Sequence, residues 1–138
     1  MINKILVPVD GSECAYKALD LALDLAEKYG AAIELLCVIP TTALAVIGPS
    51  EKEMREHAEK VLEEALNKTK PKLGLKISTK ILVGSPADRI VEASEEGNFD
   101  LIVLGSRGPG RVKGFLLGSV ADRVVDLAQC PVVIVKQK

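Results

Sequence analysis

Leu101-Ile102-Val103-Leu104-Gly105-Ser106-Arg107-Gly108 decides the fold. Four apolar residues in an unbroken run predict a strand buried on both faces, and such strands belong to parallel sheets covered by helices. The run stops at glycines, and Gly118-Ser119 follows at the start of an amphipathic segment. A buried strand that ends in glycines and leads to a helix amino end offers backbone N–H groups without side-chain bulk, the arrangement that phosphate oxygens require.

Working outward, the same alternation of short apolar runs and helical periodicity fills the chain. Ile5-Leu6-Val7-Pro8-Val9 predicts a first strand, ended by the turn signal Asp10-Gly11-Ser12. Ala15, Ala18, Leu19, Ala22, Leu25, Ala26 and Tyr29 recur at three-and-four spacing, which predicts a helix from Glu13 to Tyr29 stopped by Gly30. Residues 32–39 form a second strand closed by Pro40. The apolar segment 41–50, with Gly48-Pro49, is a long connection, either a flap near a ligand or a surface loop. A helix over 51–70 carries Met54, Ala58, Val61, Leu62, Ala65 and Leu66 on one face and charges on the other. A third strand spans 76–83. Ser85-Pro86-Ala87-Asp88 then opens a helix that runs to Gly97, with Ser85 as cap and Asp88 completing an acidic capping box. A last helix over 119–128 and the strand Val132–Val135 end the pattern. Ser119 and Asp122 can likewise form a capping box.

The order is βαβαβαβαβ, which predicts an α/β protein, a doubly wound five-stranded parallel sheet with helices on both faces. Ligands of such sheets bind beyond the carboxyl ends of the strands, where the winding reverses. With strand order 3-2-1-4-5 that point lies between the first and fourth strands, whose ends are Asp10 and Gly105. These are the two most polar and turn-rich strand ends in the chain.

Composition narrows the classes. The chain has 138 residues, 48% of them hydrophobic and 27% charged, so one globular domain with a sizeable core is expected. A net charge of −1, two Tyr, two Phe and no Trp provide neither a basic field nor a stacking platform, which excludes nucleic acid as the main partner. Cys14, Cys37 and Cys130 are widely spaced with no CxxC pair, the usage of free thiols in a reducing compartment. The amino-terminal residues run straight into a strand without an export signal, and no stretch is long enough to span a bilayer, so a cytoplasmic location is expected.

At the glycines, the amides of Gly105, Ser106, Arg107 and Gly108 can form a concave anion nest, and those of Ser119, Val120 and Ala121 lie at a positive helix end. A tight turn alone would also account for two glycines. A side chain at Gly118 is expected to fill the phosphate position. Arg107, Arg111 and Lys113 add positive charge. Asp10 can accept from ribose hydroxyls, hold a divalent metal through water, or cap the first helix. GxxxxGK[ST] and a first-strand GxGxxG are both absent, which argues against a P-loop and against NAD or FAD.

Gly105-x2-Gly108-x9-Gly118-Ser119, with Val7-Pro8-Val9-Asp10-Gly11-Ser12, Gly84-Ser85-Pro86-Ala87 and Cys130-Pro131-Val132-Val133-Ile134-Val135, resembles the universal stress protein family over the whole chain, specifically its ATP-binding branch. The resemblance implies strand order 3-2-1-4-5 and an ATP site, with Mg²⁺ or Mn²⁺, across the ends of the first and fourth strands. It implies that Pro8, Val9 and Asp10 line the adenosine end, with Asp10 on the ribose and the Val38 main chain on adenine. Leu104 and Gly105 would pass beneath the ribose and α-phosphate, Ser106, Arg107 and Gly108 would fold around the phosphates, and Gly118, Ser119 and Val120 would hold the outer ones. It further implies a homodimer paired through Val132–Val135; an edge shielded by Lys136 and Lys138 is the alternative.

No base or water-positioning group accompanies the glycines. The single histidine, His57, falls within the charged second helix and is expected to lie far from both strand ends. The chain therefore reads as a nucleotide-dependent regulatory switch, at most a weak ATPase, whose bound nucleotide orders segments 41–50 and 106–117 for an unidentified protein partner. A slow ATPase or an enzyme autophosphorylating on Ser106 or Ser119, and a nucleotide-free dimeric scaffold, remain open.

Overall fold

The computed structural model describes residues 1–41, 50–69, 74–107 and 118–136. Its elements are β1 Lys4–Pro8, α1 Glu13–Tyr29, β2 Ala32–Pro40, α2 Glu51–Thr69, β3 Ile77–Gly84, α3 Pro86–Glu96, β4 Leu101–Gly105, α4 Ser119–Leu127 and β5 Val132–Val135. Each predicted boundary holds to within one residue. The predicted segment 41–50 falls outside the described residues apart from its ends, and so do Gly108, Pro109, Gly110, Arg111 and Lys113.

All five strands join one parallel sheet in the order β3-β2-β1-β4-β5, as expected. Side chains alternate across it and build two cores. Ile5, Val7, Val9, Ile33, Leu35, Cys37, Leu101 and Val103 pack with α1 and α2, while Leu6, Leu36, Ile102 and Leu104 pack with α3 and α4. The unbroken apolar runs of β1 and β4 follow from this, because each strand must satisfy both layers. Ile5, Leu6, Val7, Ile102 and Val103 are all fully buried.

α1 starts at Ser12, whose hydroxyl accepts from the Ala15 N–H at 3.2 Å, and ends at the left-handed Gly30. Two predicted caps do not form. Ser85 occupies the N-cap of α3 but makes no side-chain cap bond, and Asp88 instead pairs with Arg123 at 3.2 Å, tying α3 to α4. The N-cap of α4 is Gly118, so Ser119 is the first helical residue and the Ser119–Asp122 box is out of register. None of the described helices is long and apolar enough to cross a membrane.

Candidate functional site

β1 and β4 are neighbours, yet α1 leaves β1 on one face and the segment after β4 leads to α4 on the other. Between their carboxyl ends lies a cleft of about 450 Å³, at the point where the winding reverses. Pro8, Val9, Asp10, Val38, Leu104, Gly105, Ser106, Arg107, Gly118, Ser119 and Val120 all line it. Of the predicted site residues only Gly108 lies outside the described chain.

The cleft has two chemically different halves. On the β4 side, α4 opens into it. The first N–H that finds a carbonyl within this helix is that of Asp122, bonded to Gly118 O at 2.9 Å, so Ser119, Val120 and Ala121 present N–H groups to which the helix offers no acceptor. With the positive dipole end and Arg107 beside them, they form an anion-seeking wall.

The glycines and Ser106 serve this wall differently from expectation. The Ser106 N–H donates to Val135 O at 2.9 Å, so it continues the β4–β5 ladder and is unavailable to a nest. The Ser106 side chain is buried, with Oγ 3.6 Å from Cys14 Sγ, and the Cys14 thiol also lies 3.4 Å from Val135 O. A hydroxyl turned into the interior is not poised to accept a phosphoryl group. A Cβ at Gly105 would come within 2.8 Å of the Cys14 carbonyl carbon and Cβ, so this glycine admits the first turn of α1 against β4. A Cβ at Gly118 would meet Ser106 O at 2.9 Å, and the Gly118 N–H donates to that same oxygen at 2.6 Å. The position is closed by backbone; a side chain there would push the 106–107 strand end off α4 before it reached any ligand.

The β2 half is apolar and ends in exposed main chain. In a parallel strand both backbone polar groups of a residue point to the same neighbour, and successive residues alternate. Leu36 O accepts from the Val9 N–H at 2.8 Å and thus faces β1, so Val38 faces the same way. β1 ends at Pro8, paired with Leu36, so the Val38 amide and carbonyl point past its end into the cleft. One donor and one acceptor, side by side, match the edge of a nucleobase.

Asp10 stands between the halves. Its Oδ1 accepts the Ser12 N–H at 2.9 Å, which fixes the carboxylate in a turn and leaves Oδ2 outside that bond. The helix cap itself is Ser12. Below it the Cys37 thiol is pushed up to about 11, by burial first and by the Asp10 charge second. At neutral pH Cys37 is a protonated wall residue.

The expectation for His57 fails. It lies at the rim of the cleft with Met54, Ala58 and Val61, on the face of α2 directed at the site. The charged flanking residues concealed this, since the helix start rises above the strand ends only once α2 is laid against the sheet. Pro86 and Ile90 of α3 also line the cleft. Among the described residues no group of three or more His, Cys, Asp or Glu could hold a metal ion.

The model of the universal stress protein family matches residues 1–136. Universal stress protein MJ0531 of Methanocaldococcus jannaschii is 36% identical over 143 residues, spanning 99% of this chain and 84% of that protein. The structure of the universal stress protein from Archaeoglobus fulgidus in complex with dAMP superposes with a TM-score of 0.77 at 25% identity, covering 99% of this chain and 98% of that one. A universal stress protein in complex with cAMP superposes with a TM-score of 0.76 at 27% identity, over 99% of this chain and 98% of the other. With the family model matching residues 1–136 and a relative 36% identical over 99% of this chain, the chain belongs to the universal stress protein family.

Proposed function

We propose that the protein binds ATP in the cleft between β1 and β4 and acts as a nucleotide-dependent regulatory module. The observation that carries this is the pairing, in one cleft, of the Ser119, Val120 and Ala121 amides, to which α4 offers no acceptor, with the outward main chain of Val38. An anion wall at one end and a base-edge pair at the other fit a nucleotide stretched between them, with Asp10 on the ribose. The dAMP and cAMP held by proteins of the same fold support an adenine ligand. A metal, Mg²⁺ or Mn²⁺, would accompany the phosphates and offset part of their charge.

The cleft favours holding over turnover. Hydrolysis needs a group that positions or deprotonates water beside the outer phosphate. Of the described lining residues that could act as a base, Asp10 stands between the halves with one carboxylate oxygen already held by the Ser12 N–H, and His57 lies on the β2 side, away from the α4 amides. Isothermal titration with ATP and Mg²⁺, together with mass analysis of nucleotide released from gently purified protein, tests the reading. It fails if no adenine nucleotide copurifies and none binds at millimolar concentration.

β5 supports a homodimer. Ser106 N–H reaches Val135 O and Ile102 N–H reaches Pro131 O, so residues 131, 133 and 135 face β4. Val132 and Ile134 therefore turn their main chain toward the open edge of the sheet, where a second copy can pair.

A further inference from the structure

His57 is the histidine the sequence placed away from the site, yet it lines the cleft and is exposed. Met54, His57, Ala58 and Val61 fall at i, i+3, i+4 and i+7, one stripe of α2. Ala58 and Val61 are buried in the stripe, whereas His57 is exposed. Among the described residues the ring makes no hydrogen bond or ion pair, and its exposure keeps it out of the core.

Its place relative to the halves of the cleft is set by α2. Val61 Cγ2 lies 3.5 Å from where a Cβ of Gly11 would stand, so this part of α2 abuts the Asp10–Gly11 turn. His57 is four residues earlier on the same stripe, about 6 Å further along the helix axis. α2 begins at the carboxyl end of the sheet, so that step carries the ring above the strand ends, on the β2 side with Val38. The amides of α4 are across the cleft.

We propose that His57 is a nucleoside-contacting residue whose ring plane covers the base on its solvent side, while Val38 reads the base edge. The inference rests on the nucleotide reading of the cleft. A flat, exposed ring at the rim of an apolar wall supplies a stacking face that the aliphatic residues below it lack. Stacking of this kind acts on the base and is indifferent to the number of phosphates.

The test is calorimetric titration of adenosine and of ATP with Mg²⁺ against wild type, His57→Ala and His57→Phe, with unliganded melting curves as the folding control. His57→Ala is expected to weaken adenosine and ATP by the same factor, about five- to tenfold, the low end for an exposed base–aromatic contact. His57→Phe is expected to stay within about twofold of wild type, because the ring plane is kept. Unchanged adenosine affinity in His57→Ala overturns the proposal, and so does a loss confined to ATP, which would put the ring on phosphate. A His57→Phe variant as weak as His57→Ala overturns it as well. If wild type binds neither ligand, the nucleotide reading itself falls and the proposal goes with it; if wild type binds both and His57→Ala binds them equally, only the role of His57 is lost.

Discussion

Ser119→Asp separates phosphate binding from folding. Ser119 is the first residue of α4 and is exposed on the cleft, with Gly118 as cap. A carboxylate there interacts favourably with the helix dipole, so the unliganded protein should gain about 0.3–1 kcal/mol. A phosphate seated on the same amides would meet that carboxylate. At a separation of about 5 Å the repulsion per charge pair is roughly 1 kcal/mol in water and about 3 kcal/mol at the effective dielectric of a partly enclosed surface. ATP affinity should therefore fall by about 5- to 150-fold, and the loss should shrink as salt is raised. Adenosine, which carries no phosphate, should bind as it does to wild type. Ser119→Ala should cost ATP affinity little, because backbone amides and not the hydroxyl make the contact. Calorimetry of the three proteins with both ligands, at low and high salt, reads every arm. Wild-type ATP affinity in Ser119→Asp, with its melting temperature held or raised, would refute the placement of phosphate on α4.

Gly105→Ala should destabilise the fold by about 1–3 kcal/mol, since its Cβ meets the backbone of the first turn of α1 and neither side can yield cheaply; urea unfolding with an unchanged slope measures it, and a loss below about 0.5 kcal/mol would contradict the packing. Cys37 releases its proton near 9 in the unfolded chain and at about 11 in the folded one, so above pH 9 the unfolded state holds fewer protons and stability falls as pH rises toward 11, by up to about 3 kcal/mol. Cys37→Ala should lack that part of the alkaline decline when both proteins are unfolded at pH 8 and pH 10.5, and identical slopes would remove the assignment. Ile134→Pro deletes an N–H that faces the open edge while sparing the bonds to β4, so it should leave a folded monomer by sedimentation; a persisting dimer would show that the copies meet elsewhere.

Particular residues show how far the sequence could be read. The apolar runs of β1 and β4 forced burial on both faces, and Gly30 and Pro40 marked ends that the structure keeps. Asp10, Val38 and Ser119 could be assigned to one cleft because topology brings strand carboxyl ends together whatever the side-chain details. The failures share another cause. Ser106 lines the cleft as expected, yet its N–H and hydroxyl are directed at Val135 and Cys14, partners 29 and 92 positions away in the chain, which no local pattern signals. His57 looked irrelevant because its neighbours in sequence are solvated charges, while its neighbours in space are Met54 and the cleft.

By itself, then, the sequence determined the succession of elements, the parallel sheet and the end of it that is open to a ligand, because periodicity and turn chemistry are local and act over a few residues. Only the tertiary structure decided what each glycine and polar group does. Gly105 and Gly118 are needed where two backbones cross, Ser106 lines the cleft with its hydroxyl turned toward Cys14, and His57 lines the cleft as well. Those assignments depend on which atoms stand within a few ångströms across the sheet, and no local pattern encodes that distance.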